Sequence, residues 1–335
     1  MILTFAAMQE NSSFKVYFAP LQESTDHIYR NAYSKFFAGV DKYFAPYILR
    51  QNDGTVKGSH LRDINKIKNP DNPVIPQILA GNSADFIFLA KLLHDNGYGE
   101  FNWNLGCPYP MVTNKGLGSG LLPYPERIKT ILQESLPEIQ GRISVKMRAG
   151  LVSPDEIFEV IGVLNDFPIH EVIFHPRIAK QLYRGVPDTY LFAEIKQRVC
   201  HPLVYNGDIE TAEDFDRLNG LFGDTNTWMI GRGILKNPFL PMLLSNGTLP
   251  EQRVKAEMLR NFHDEILLNY SKILNGNSHL LMKMVKFWSY FCFAFPDPHK
   301  TFKAIKKAAN ISKYDLAVNE NFSKLRAPLG VGPGV

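Results

Sequence analysis

The sequence predicts an α/β fold, a (β/α)8 barrel followed by an all-helical domain. Three observations carry this reading. Eight short, apolar, β-rich runs recur between residues 15 and 233. Amphipathic stretches with helix-start signals fill most of the gaps between them. After residue 245 the strand-like runs stop and long helix-periodic stretches replace them. The expected division is a barrel over 1–244, a helical domain over 245–326 and a flexible tail over 327–335.

The strand candidates, in order, are 15–21, 42–49, 74–79, 100–106, 144–150, 171–176, 202–208 and 227–233. Most are continuous apolar runs, as parallel strands covered on both faces require. The stretch 50–73 is polar with little helical period and reads as a long loop or a degraded helix. In 82–97, Phe86, Leu89, Leu92 and Leu93 share one helical face, with Ser83 as the expected N-cap and Gly97 as the stop. Ser153 precedes Pro154 at an expected first helical position, and Thr211 caps the helix after the seventh strand. In the C-terminal part, helices are expected over 250–274, 279–295 and 298–312.

Composition sets limits. Of 335 residues, 45% are hydrophobic and 21% charged, which is globular usage. The cysteines at 107, 200 and 292 form no CxxC pair, which argues against a zinc ribbon or a disulfide-stapled secreted scaffold. No apolar run reaches the ~20 residues that span a bilayer. A soluble, monomeric, cytoplasmic protein without a metal or membrane contact is expected. The net charge is only +4 but unevenly spread: residues 251–335 hold 13 basic and 7 acidic residues. Seven lysines (283, 286, 300, 303, 306, 307, 313) face a single acid, Asp297, between 279 and 313. This is either a solvated basic face or a phosphate-backbone surface interleaved with Phe287, Trp288 and Phe302.

Chemistry in such a barrel sits at the C-terminal strand tips. Here the tips carry Pro20-Leu21-Gln22, Gln77, Asn104 and Cys107, Lys146 and Arg148, His175 and Arg177, Asn206-Gly207-Asp208, and Gly231-Arg232. So many polar groups converging on one mouth point to an enzyme. Gly207 and Gly231 follow the last two strands, where this fold often binds phosphate, and Arg232 adds a charge-assisted contact. Lys146, inside a strand, places a cation near the barrel axis, suited either to a flavin's N1–C2 edge or to pairing with a buried acid such as Asp208. "GLGSG" (116–120) lacks the G-x-G-x-x-G spacing of a dinucleotide site and reads as a flexible active-site loop with Lys115 at its start. Cys200 and Cys292 read as core residues.

"NWNLGCPYPMVTNKGLGSGLL" resembles the N-x-G-C-P…K-x-G-x-G-x-x-L segment of the tRNA-dihydrouridine synthases, and "FAPLQESTD" resembles their A-P-M-x-x-x-T-D start. "SVKMRAG", "HPRIAKQLYRG", "VYNGDI" and "WMIGRGILKNPFL" are similar to later family segments, in the same order, so the likeness covers roughly 15–240. Glu23 stands where many members have glycine, and Pro176 where a small residue is common. The resemblance implies an FMN enzyme, reduced by NADPH (or NADH), that reduces the C5–C6 double bond of selected tRNA uridines. It implies hydride delivery to C6 and Cys107 as the proton donor to C5. It implies FMN contacts from Pro20, Leu21, Gln22, Gln77, Lys146, His175, Asn206, Gly207, Asp208, Gly231 and Arg232. Asn104, Lys115 and Arg177, with Lys283 and Lys286 of the basic tail, are the expected contacts to substrate tRNA. An unperturbed thiol is mostly protonated at neutral pH, which suits an acid. The rivals are an FMN barrel of the dihydroorotate or dihydropyrimidine dehydrogenase kind acting on a free base, and a non-catalytic RNA-binding barrel.

Overall fold

A computed structural model describes residues 14–69 and 73–326; the expected tail over 327–335 lies outside them. Nine strands form one all-parallel sheet: β1 (Lys15–Phe18), β2 (Lys42–Phe44), β3 (Val74–Ile75), β4 (Gln77–Ile78), β5 (Glu100–Leu105), β6 (Arg142–Gly150), β7 (Glu171–Ile178), β8 (Leu203–Asn206) and β9 (Thr227–Ile230). Their order is β3-β2-β1-β9-β8-β7-β6-β5-β4. The two ends of that order, β3 and β4, flank one residue, Pro76, so the sheet closes into a barrel. The expected third strand is thus two short ones. Proline brings no N–H to a ladder, yet its carbonyl still accepts from the Asn102 N–H at 2.9 Å. Beyond the break, Ile48 bridges to Ile78 and carries the second strand's edge onward.

Strand alternation decides what faces the axis. Tyr17, Ala19, Phe44, Ile75, Ile173, Val204 and Met229 form a small core inside the barrel. Their neighbours Val16, Phe18, Phe101, Trp103, Val145, Met147, Val172, Phe174, Tyr205 and Trp228 turn outward into the larger core under the helices. The same period puts Asn104, Lys146 and His175 inward in adjacent strands: Asn104 pairs in register with Lys146, and Arg148 with His175.

The barrel helices are α1 (His27–Phe36), α2 (Gly58–Asp63), α3 (Ser83–Asp95), α4 (Pro110–Thr113), α5 (Pro125–Ser135), α6 (Glu156–Asn165), α7 (Thr189–Arg198), α8 (Ala212–Leu221), α9 (Arg232–Lys236) and α10 (Leu240–Asn246). Two expected starts move. Asn82, not Ser83, caps α3, its side chain accepting from the Asp85 N–H at 2.8 Å. α6 begins two residues after Pro154, because the Glu156 carboxylate takes the N–H groups of Leu151, Val152 and Ser153 into the preceding turn. Thr211 caps α8 in a reciprocal box with Asp214, as expected. Among its described residues, the polar stretch 50–73 holds α2, a turn of 3-10 helix at Lys66–Lys68 and an isolated bridge between Arg50 and Val56.

Among the described residues four α-helices follow where three were expected: α11 (Gln252–Ile273), α12 (Asn277–Phe291), α13 (Pro298–Lys306) and α14 (Ile311–Arg326). The expected border after residue 244 cuts α10, which runs to Asn246 and ends on Gly247. At the centre of this helical part, Trp288, Tyr314 and His263 are buried and joined in a chain. The Trp288 N–H can only donate and does so to the Tyr314 oxygen at 2.9 Å. The Tyr314 hydroxyl lies 2.7 Å from His263 Nε2, and His263 Nδ1 lies 2.8 Å from Asp264. Trp288 and the half-buried Phe287 and Phe302 pack inward, so these rings belong to the core and are not interleaved with the lysines on the surface, as the second of the two readings had them.

Helix α12 is pinned to the first barrel loop. Lys283 Nζ donates to the Glu23 carbonyl at 2.7 Å and lies 3.0 Å from Asp26 Oδ2. Asp26 also accepts from the Tyr270 hydroxyl at 2.8 Å and caps α1. Glu23 itself has φ 66, the left-handed region in which an L side chain costs roughly 1–2 kcal/mol.

Candidate active site

Cys107 follows β5 in a turn built by one side chain. Asn104 Oδ1 accepts from the N–H groups of Gly106 at 3.0 Å and Cys107 at 2.8 Å. Its amide nitrogen donates to Gln77 Oε1 at 2.7 Å, and Gln77 donates in turn to Asn102, which donates to Ser144. This relay of amides fixes the orientation of Asn104 and so the path of the chain at the sulfur. Asn104 lies at the cavity, as expected of a base contact, but its amide is committed to holding this turn.

The other side of the turn rests on the glycine-rich segment. That segment is no flexible loop: Gly118–Leu121 is a buried 3-10 turn. Ser119 N–H donates to the Cys107 carbonyl at 3.1 Å. Gly118 has φ +57, and a Cβ there would stand 2.9 Å from both the Cβ and the carbonyl oxygen of Cys107. The glycine is there because a backbone must pass this close.

Cys107 is 7% exposed and opens on a cavity of about 1080 Å³, counted out to its mouth in solvent. Burial raises the thiol's pKa, outweighing the Tyr109 N–H, the Tyr47 hydroxyl, Arg148 and Lys146, which pull the other way. The thiol is therefore protonated at neutral pH, the form an acid needs. Lys146 shares the cavity, and among the described residues no carboxylate pairs with it. Burial, then the charge of Arg148, brings its pKa down to about 7. The expected alternative of a Lys146–Asp208 pair is excluded by geometry. Asp208 is taken by Arg177 at 2.5 and 2.9 Å and by Arg232 at 2.5 Å. Burial works against the Asp208 charge, but these two guanidinium groups outweigh it and hold the carboxyl below its usual range.

His175 Nε2 lies 3.2 Å from Arg177 Nη1. Arginine only donates, so Nε2 accepts and the neutral ring carries its proton on Nδ1. Burial first, then the charges of Arg148, Lys146, Arg177 and Arg232, keep this imidazole neutral well below its ordinary pKa. Asn206 is steadied by donating to the Met229 carbonyl at 2.8 Å.

Pro20, Leu21, Gln22, Gln77, Asn104, Cys107, Lys146, His175, Asn206, Gly207, Asp208, Gly231, Arg232 and Lys286 all line this one cavity. Three expected substrate residues do not. Arg177 is 1% exposed and sits behind His175 and Asp208, also donating to the Gly185 carbonyl at 2.5 Å. Lys115 is exposed to solvent off the cavity. Lys283 is spent on the pin to Glu23 and Asp26. Arg148, which the sequence placed at a strand tip without a role, lines the wall too, and sequence reasoning missed Tyr47, Tyr109, Tyr183 and Tyr290 beside it. Tyr109 was two residues from Cys107, and Tyr290 one helical turn from Lys286; those spacings were the available signals. Tyr183 lies under two cations, Arg232 at 4.4 Å and Arg148 at 5.5 Å.

Away from the cavity, Lys300, Lys303, Lys306, Lys307 and Lys313 are exposed on α13 and the start of α14. Among the described residues none of them pairs with a carboxylate. No helix among the described residues is long and apolar enough to cross a membrane, and none of their His, Cys, Asp and Glu side chains cluster as a metal site.

Comparison with known proteins agrees with this geometry. Similar proteins include the tRNA-dihydrouridine(16) synthase of Vibrio parahaemolyticus serotype O3:K6, 27% identical over 220 residues, or 63% of this chain and 66% of that one. A probable tRNA-dihydrouridine synthase of Rhizobium leguminosarum bv. phaseoli is 26% identical over 277 residues, 79% of this chain and 84% of that one. Among solved structures, the old yellow enzyme from Trypanosoma cruzi superposes with a TM-score of 0.53 at 10% identity, over 78% of this chain and 95% of that one. At that identity it speaks for the barrel fold alone. The family model described as dihydrouridine synthase (Dus) matches residues 17–311, from inside β1 to the first residue of α14. With the Cys107 turn and the polar strand tips inside that span, the chain belongs to the dihydrouridine synthase family.

Proposed function

We propose that this protein is a tRNA-dihydrouridine synthase that reduces the C5–C6 double bond of selected uridines in tRNA, with Cys107 as proton donor to C5. The observation that carries this is the protonated Cys107 thiol, held by Asn104 and Gly118 at the mouth of a cavity that also holds Lys146, which no carboxylate among the described residues pairs with.

The cavity fits FMN. Lys146 has no carboxylate partner among the described residues, so its amine is available to an anionic ligand. Gly231 leaves open the space in which a Cβ would touch Ala19 and Leu21 at 3.4 Å, and Arg232 stands beside it. Pro20, Leu21, Gln22, Gln77, Lys146, His175, Asn206, Gly207, Gly231 and Arg232 are the residues that would hold it. FMN, reduced by NADPH or NADH, supplies the hydride for C6.

The remaining steps belong to the chain. Lys146 stays desolvated and gains its proton most readily when an anion approaches. His175, neutral, donates from Nδ1 without adding charge, its Nε2 being taken by Arg177. Arg177 acts from behind, holding His175 and Asp208 in place, and Asp208, at the cavity wall, holds Arg232. Cys107 gives up its thiol proton. A uridine reaches this mouth only by leaving the RNA stack, at a cost of a few kcal/mol. The lysines of residues 245–326, our proposed RNA-gripping unit, offset that cost through the phosphates. The names of the relatives support tRNA as the RNA.

The test is dihydrouridine mapping by mass spectrometry on tRNA treated with the purified protein, with NADPH and NADH compared. Cys107→Ala is expected to lose about 10²–10⁴-fold in rate. Full activity in Cys107→Ala, or reduction of free uridine but not tRNA, would refute the proposal.

A further inference from the structure

Tyr47 lies in the segment after β2 that carries the barrel edge past the Pro76 break. Its hydroxyl oxygen is 3.9 Å from Cys107 Sγ, within reach for a sulfur hydrogen bond, and both groups line the same cavity. Their apolar bed is shared: Leu79 and Val112 pack with Cys107, and Tyr47, Leu49 and Leu117 close around them. No carboxylate or amide side chain competes for the Tyr47 hydroxyl, which makes no other hydrogen bond among the described residues. The other charged or titratable groups facing Cys107 are Lys146 and Arg148 from β6 and Tyr109 from its own turn.

We infer that Tyr47 is a positioning residue for the protonation step: its hydroxyl oxygen accepts from the resting Cys107 thiol, and its O–H turns to donate to the thiolate left behind and holds it. The inference rests on the proposed function only for the identity of the proton's destination. The balance is simple. The S–H bond of Cys107 breaks, a C5–H bond forms on the uracil, and the electron pair of the broken bond stays on sulfur. The O–H bond of Tyr47 stays intact throughout. Burial, with Cys107 as its nearest charge, raises the pKa of the Tyr47 phenol well above its ordinary value, so the donor is never lost in the working range. A charged acceptor strengthens such a bond about twofold over a neutral one, so the contact grows as the proton leaves.

The experiment uses the full-length, flavin-loaded protein. Iodoacetamide alkylation of Cys107, resolved from Cys200 and Cys292 by peptide mass spectrometry, is followed against pH. In Tyr47→Phe the alkylation midpoint is expected about one pH unit higher, a roughly tenfold smaller thiolate fraction at a given pH. The kcat for tRNA uridine reduction is expected to fall about tenfold with KM little changed. Tyr47→Gln and Tyr47→Leu, which keep or drop a donor at similar bulk, separate hydrogen bonding from packing. The glutamine midpoint is expected below the leucine one. An unchanged midpoint in Tyr47→Phe, or equal midpoints in the second pair, overturns the inference whatever the activity. A wild type that makes no dihydrouridine, yet whose thiol midpoint still depends on Tyr47, supports the hydrogen bond and overturns the proposed function instead.

Discussion

Replacing Lys146 by methionine, which keeps the length of the side chain and removes the charge, should stabilise the flavin-free protein in a pH-dependent way. Burial, then the neighbouring Arg148, takes the lysine from 10.5 to about 7 in the fold. At 1.36 kcal/mol per unit that is a penalty of order 5 kcal/mol on the charged folded state. The sign follows from proton counts. Between pH 7 and about 10.5 the unfolded chain carries the Lys146 proton and the folded one does not, so stability rises with pH across that window. Below pH 7 both states are protonated and the full penalty applies. From pH 6 to pH 9 the wild type should therefore gain about 3 kcal/mol from this group, while Lys146→Met gains nothing from it. Urea unfolding of both proteins at pH 6, 7.5 and 9 reads the difference directly. The variant should be more stable by several kcal/mol at pH 6, and the gap should narrow steadily. A gap that is constant with pH, or that widens, would refute the claim that Lys146 sits desolvated and unpaired.

Other outcomes follow from single contacts. Glu23→Gly should be stabilising by about 0.5 kcal/mol, the relief at φ 66 being partly cancelled by the extra freedom of the unfolded glycine; thermal unfolding measures it. Gly118→Ala should cost about 2 kcal/mol or more, since it combines a left-handed φ with a 2.9 Å approach to Cys107, and dihydrouridine formation should fall with stability. Lys283→Ala should cost about 1–2 kcal/mol in urea unfolding through its bonds to Glu23 and Asp26. Lys303→Gln should reduce the slope of log K against log salt for tRNA binding by about one, without changing the alkylation of Cys107.

Much of this molecule was legible because strand alternation and barrel geometry are simple. Asn104, Lys146, His175 and Asn206 alternate with residues that turn into the outer core, and their tips had to meet. The expected third strand ran straight through Pro76, and only that residue's position at the joint between sheet ends shows why the strand divides there and why the barrel tolerates it. What stayed hidden was contact across long sequence separations. Arg177 has the look of a substrate arginine until Asp208, thirty-one residues away, claims it. Lys283 sits among unpaired lysines in sequence, and only folding brings Glu23 and Asp26 beneath it. Tyr47 has no motif around it, and its distance to the sulfur depends on two turns that each had to be built first. The glycine-rich segment misled for the opposite reason: glycine permits flexibility and close packing alike, and here the packing against Cys107 decides.

The pin between α12 and the first barrel loop has a thermodynamic consequence. Lys283 holds the loop that carries Leu21 and Gln22, while Lys286 and Tyr290, further along the same helix, close the cavity wall. A polyanion pressing on that helix would therefore load the backbone beside the cavity proposed to hold the flavin. If either ligand shifts the helix, their affinities are linked, and linkage is reciprocal: whatever factor RNA applies to flavin retention, flavin applies to RNA retention. Cutting the Lys283 tether should bring that factor toward one.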